Sequence, residues 1–130
     1  MATAQVVSIK EYNGFPGLKK IAWTWLSTDA GVVTGSKTTN KYTGDIVRLV
    51  TDPGVTAPTA AYDITILDDD GVDVLIGAGA DRSATLTEQV NASSLGYIYD
   101  TCLSLEILHA GDSKIGVVYL YIKDTSGRRN

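Results

Sequence analysis

From residue 19 to residue 27 the chain alternates. Ile21, Trp23 and Trp25 fall on one side of an extended backbone, and Ala22, Thr24 and Leu26 on the other. A helix would set the two tryptophans about 200° apart, whereas a strand stacks them on a single face. The same period of two returns towards the C-terminus. Leu103, Leu105 and Ile107 share one face of segment 101–108, and Val118, Leu120 and Ile122 share one face of segment 115–123. Each apolar row needs a second layer to cover it, so the pattern asks for sheets packed on one another. Val, Ile and Thr supply 37 of the 130 residues, and 13 glycines punctuate them. β-Branched side chains suit a pleated surface, so composition agrees with periodicity.

Further strands are expected at 5–9, 32–34, 42–51, 61–67 and 72–76. The run Ile46-Val47-Arg48-Leu49-Val50 is mostly apolar, which suits a central strand. Asp70-Gly71 lies between two β-rich runs and predicts a hairpin with a type I′ turn. Gly111-Asp112-Ser113 predicts a second hairpin between the two C-terminal strands. Residues 13–17, Asn-Gly-Phe-Pro-Gly, read as a break after a short first strand. Residues 83–90 suit either a helical turn or a poor strand, and 77–81 and 91–96 read as loops. The fold expected is all-β: an antiparallel β-sandwich or small barrel of seven to eight strands. The expected organisation is an N-terminal arm or first strand over 1–18, a single β domain over 19–123 and a polar tail over 124–130.

The net charge of −4 is unevenly spread. Residues 1–51 carry +3, residues 52–88 carry −7, and residues 89–130 balance. Asp is common in turns, which is the leading reading of this split, and the lesser one is head-to-tail contact between copies through an acidic and a basic segment. Candidate interface residues are Asp68, Asp69, Asp70 and Asp73 on the acidic side and Lys19 and Lys20 on the basic side, with Phe15 in an N-terminal arm that suits reaching into a neighbour. Nucleic acid is not expected as a partner, since the excess charge is negative and the basic clusters are no longer than Lys19-Lys20 or Arg128-Arg129. Residues 1–5 have neither a basic stretch nor an apolar stretch of a secretory leader, and no apolar run reaches the ~20 residues of a spanning helix. Neither secretion by such a leader nor a membrane partner is expected.

Residue chemistry argues against an enzyme. The chain holds one His and one Cys. Cys102 lies in an apolar run and reads as a small core residue. His109 stands beside a turn, with no Gly-x-Ser-x-Gly elbow in the sequence. The acid run 68–73 fails as an EF-hand loop: aligned on Gly71, its first position is Ile66 and its twelfth is Gly77. Solvated turn carboxylates are the leading reading there, with a non-standard ion site the lesser one. Gly77-Ala78-Gly79 lacks the third glycine of a dinucleotide loop, because position 82 is Arg. No catalytic residue, metal site or cofactor is expected. Trp23 and Trp25 share a face, which suits either a core between sheets or a sugar-binding platform, the core being the better reading.

Several segments carry a family likeness. They are Lys20-Ile21-Ala22-Trp23-Thr24-Trp25, the run from Tyr42 through Arg48 to Gly54, and Tyr62-Asp63-Ile64-Thr65-Ile66-Leu67-Asp68. Asp70-Gly71-Val72-Asp73-Val74-Leu75, the loop 77–82 and Gly116-Val117-Val118-Tyr119-Leu120-Tyr121 complete the set. Together, across about residues 19–123, the chain resembles small structural proteins of tailed-bacteriophage and prophage virions. The likeness rests on a whole-chain pattern, and it implies no enzymatic activity. It implies a virion component, made in the host bacterial cytoplasm, with a capsid decoration (cement) protein as the leading reading. Such a protein would bind copies of itself as a small homo-oligomer, such as a trimer, and the major capsid protein or other virion proteins. A tail, head–tail connector, collar or fibre-base component is the alternative within the virion, and a carbohydrate-binding module the alternative outside it.

Overall fold

The computed structural model describes residues 4–15, 17–91, 93 and 95–124. Among them run nine strands: β1 (Val6–Phe15), β2 (Leu18–Leu26), β3 (Val33–Lys37), β4 (Tyr42–Pro53) and β5 (Asp63–Leu67), then β6 (Glu88–Asn91), β7 (Tyr97–Thr101), β8 (Ser104–Leu108) and β9 (Ile115–Asp124). Six form one sheet in the order β1-β2-β9-β4, with the far edge of β4 shared by β6 and β7. The other three form a second sheet, β3-β8-β5. Every pairing is antiparallel. The architecture is thus an all-β sandwich, with two more strands than the lower count expected and one more than the higher.

The alternating rows meet between the sheets. Ile21, Trp23 and Trp25 of β2 are buried beside Val118, Leu120 and Ile122 of β9. From the second sheet come Ile64 and Ile66 of β5, Leu105 and Ile107 of β8, and Val33 of β3. The Trp23 indole N–H donates to the Ser36 carbonyl at 3.0 Å and ties β2 to β3 across the core. Trp25 packs on Tyr62, ring centroids 5.8 Å apart. Gly116, the register partner of Trp25, leaves room for the indole: a Cβ there would stand 2.7 Å from the ring. Burial of the Tyr62 hydroxyl pushes its pKa up to about 12, against the opposing influence of Arg82.

Both predicted hairpins are corrected. At Asp70-Gly71 the chain does reverse, but only Gly71 has a positive φ, so the turn is not type I′. Segment 72–76 is not a strand, and its backbone pairs with β5 at an isolated bridge, Leu67↔Asp73, in place of a ladder. The cause is Asp73, whose carboxylate accepts the amide hydrogens of Ile66, Leu75 and Gly77 at 3.0–3.2 Å. Those local bonds curl 74–79 into turns in place of a ladder. At 111–113 the strands on either side do not pair. β8 belongs to the second sheet and β9 to the first, so this loop crosses between layers. His109, Gly111 and Ser113, all at positive φ, steer the crossing.

The hairpin that does form joins β1 to β2. β1 runs on past residue 9 to Phe15, with an irregularity between Tyr12 and Phe15 that absorbs Asn13-Gly14. Pro16 and the Phe15 side chain lie outside the described residues, as does the predicted polar tail beyond Asp124. Segment 83–90 resolves into a loop and then β6, and β7 occupies 97–101, of which 97–100 carried no strand expectation and Thr101 was expected to open the strand 101–108.

Candidate interaction surfaces

The outer face of the six-stranded sheet carries the residues of opposite parity to the core. Pairing aligns Tyr12 of β1 with Lys20 of β2, and Lys20 with Tyr121 of β9; Tyr121 in turn faces Arg48 of β4. Lys20 Nζ lies 4.7–5.4 Å from the ring centroids of Tyr12, Tyr119 and Tyr121. Lys10 stands over Tyr12 at 5.1 Å and Arg48 over Tyr121 at 5.2 Å. These are cation–π distances, each worth about 0.5–1 kcal/mol at an exposed site. Among the described residues none of these three cations has a carboxylate partner. A shallow depression of about 340 Å³ opens beside them, lined by Tyr12, Leu18, Lys19, Lys20 and Tyr121. This surface is aromatic, apolar in its floor and positively charged.

A second surface lies where the loop after β5 meets β7. Tyr97 and Tyr99 are 78% and 80% exposed, while Ile98 between them is buried. They line a depression of about 450 Å³ with Asp68, Asp69, Asp70 and Asp100. Its acids are unequal. Asp68 accepts the amides of Asp70 and Val72 and so closes its own turn. The Cys102 amide bonds Asp69 and, with Lys37 at 3.3 Å, holds its carboxyl below the usual range. Among the described residues the Asp70 and Asp100 carboxylates take no hydrogen bond or ion pair. Val72 and Ile76 add exposed apolar area nearby.

The residues singled out in the sequence therefore divide. Lys20 lies at the centre of the basic surface, while Lys19 turns to Asp124 at 3.9 Å and to the Asn13 carbonyl. Asp68, Asp69 and Asp70 gather on the acidic surface, whereas Asp73 is spent on its own loop. Lys10, Tyr12, Arg48, Tyr97, Tyr99 and Asp100 were not picked out. Strand parity already separates Tyr119 and Tyr121 from the core row, but the alignment of β1 and β4 with them depends on register between distant segments.

Other chemistry-bearing groups are otherwise occupied. Trp23 and Trp25 are fully buried and present no face to a sugar. His109 bonds Asp63 at 2.7 Å on the surface. Cys102 is half-buried. Among the described residues no group of three or more His, Cys, Asp or Glu is arranged to hold a metal ion, and no helix is long and apolar enough to cross a membrane. Comparison with protein-family models, curated proteins and solved structures finds no match to this chain.

Proposed function

We propose that this chain is a structural protein of a tailed-bacteriophage virion, and within that class a capsid decoration protein. It would stabilise the head by protein–protein contact alone, with copies of itself and with the capsid lattice as partners. The observation that carries the reading is a pair of exposed, tyrosine-rich surfaces of opposite charge on a domain whose tryptophans are consumed by the core. Tyr and Arg are the side chains that protein interfaces favour, because they bury large area with a polar end still satisfied. The likeness of residues 19–123 to small virion proteins supplies the context.

The test is binding to capsids that lack the protein. Saturable binding to heads, with heads that then resist heat or osmotic shock better, is the expected result. Absence of binding to any particle would end the reading. Immunogold labelling at the tail would keep the virion and move the protein to a tail or connector role.

A further inference from the structure

From the complementary surfaces we infer that copies of this chain join head to tail, the acidic edge of one seated on the basic sheet face of the next. The inference rests on the assembly reading above and adds to it which surfaces meet. Lys10, Lys20 and Arg48 stand over tyrosine rings, Arg48 also donating to Gln89, and among the described residues no carboxylate pairs with them. A positive, aromatic surface with an apolar floor is best covered by a partner that brings carboxylates and further aromatic area.

The same chain presents such a surface. Tyr97 and Tyr99 stand almost fully out of the protein, and the unengaged carboxylates of Asp70 and Asp100 flank them. The backbone beneath is fixed. The Asp69 amide donates to Thr101 Oγ1 at 2.8 Å and the Asp100 amide donates to Thr43 Oγ1 at 2.8 Å, so the loop and β7 form one braced edge. A braced edge loses little conformational entropy on docking. Docked, Asp70 and Asp100 would meet Lys20 and Arg48, and the tyrosines of both sides would pack together with Leu18 at the margin. The two surfaces differ, so the contact is heterologous: it closes into a ring if the rotation per copy divides a full turn, and otherwise runs on as an open chain.

The experiment uses the full chain in sedimentation and light scattering, across protein concentration and at low and high salt. Two variants test the pairing: Lys20→Glu, and the double change Asp70→Lys with Asp100→Lys. Far-UV circular dichroism checks that both remain folded. The wild type is expected to associate, and more weakly at high salt because exposed charges are screened. Each variant alone is expected to associate at least roughly tenfold more weakly. An equimolar mixture of the two is expected to recover association, since each then offers the other an oppositely charged face. If only Lys20→Glu weakens association, the sheet face packs on itself and the head-to-tail contact is wrong. If neither variant changes a wild type that does associate, the docking is wrong and the assembly reading stands. A wild type that stays monomeric throughout also overturns the docking, and capsid binding then decides the assembly reading separately.

Discussion

Gly44 lies at φ +148° beside the end of β9, and a Cβ on it would collide with the Lys123 carbonyl oxygen. Gly44→Ala is expected to cost about 2–3 kcal/mol in chemical denaturation, because neither backbone can yield without breaking the β4–β9 ladder. A cost under about 0.5 kcal/mol would show that the strands move apart freely there. Glu11 makes a different demand. Burial would raise its pKa, but the Tyr42 hydroxyl at 2.6 Å and the amides of Thr39 and Asn40 outweigh burial and hold it below 4.5. Burial and the neighbouring Glu11 carboxylate together push the Tyr42 hydroxyl upwards. A depressed carboxyl contributes stability that is complete above its unfolded pKa and is lost as pH falls through the folded value. Glu11→Gln should therefore destabilise by about 1–2 kcal/mol at pH 7, and the difference from wild type should shrink as pH falls below 4.5. Urea titrations of both proteins at neutral and acid pH read this directly. A difference constant with pH would mean that the carboxylate charge is not what the Tyr42 hydroxyl and the two amides hold.

At the scale of elements, side chains decide where ladders end. Asp73 diverts three amides and so replaces the predicted return strand with turns. Asp73→Ala is expected to cost about 2 kcal/mol and to speed amide hydrogen exchange at Leu75 and Gly77. Exchange unchanged at those two positions would count against the capping role. β1 is held in a similar way at the sheet's edge. Gln5 exchanges two side-chain bonds with the Thr34 backbone, and Glu11 reaches the residues after β3, so the free edge of the large sheet is tied to the small one. Strand existence was legible where alternation ran for five residues or more, as in β2, β8 and β9, and where an apolar run suited a central strand, as in β4. β6 was open between a helical turn and a poor strand, since none of its four residues is fully buried, and β7 showed no alternating row, since its buried residues Ile98 and Thr101 lie three apart. Their place comes from the edge that β4 offers, which no local pattern contains.

Over the whole molecule the two sheets share one core, so they should unfold together. Leu120→Ala, at a site with no exposure, is expected to cost about 2–5 kcal/mol while keeping a single transition. Tryptophan fluorescence, which reports the buried Trp23 and Trp25, should then coincide with far-UV circular dichroism in the variant and the wild type. Separate transitions would mean that the sheets are independent. The sequence alone determined the fold class, the inward rows and the lack of a His or Cys cluster, because alternation and composition are properties of single segments. It also separated acidic from basic charge along the chain. The tertiary structure decided which strands pair, sending β8 and β9 into different sheets although one short loop joins them. Their apolar rows face each other from opposite layers, and only packing can distinguish that from a hairpin. It decided as well that Tyr12, Lys20, Tyr121 and Arg48 line up across four strands. That line depends on register between segments up to a hundred residues apart, which core packing sets and local sequence does not.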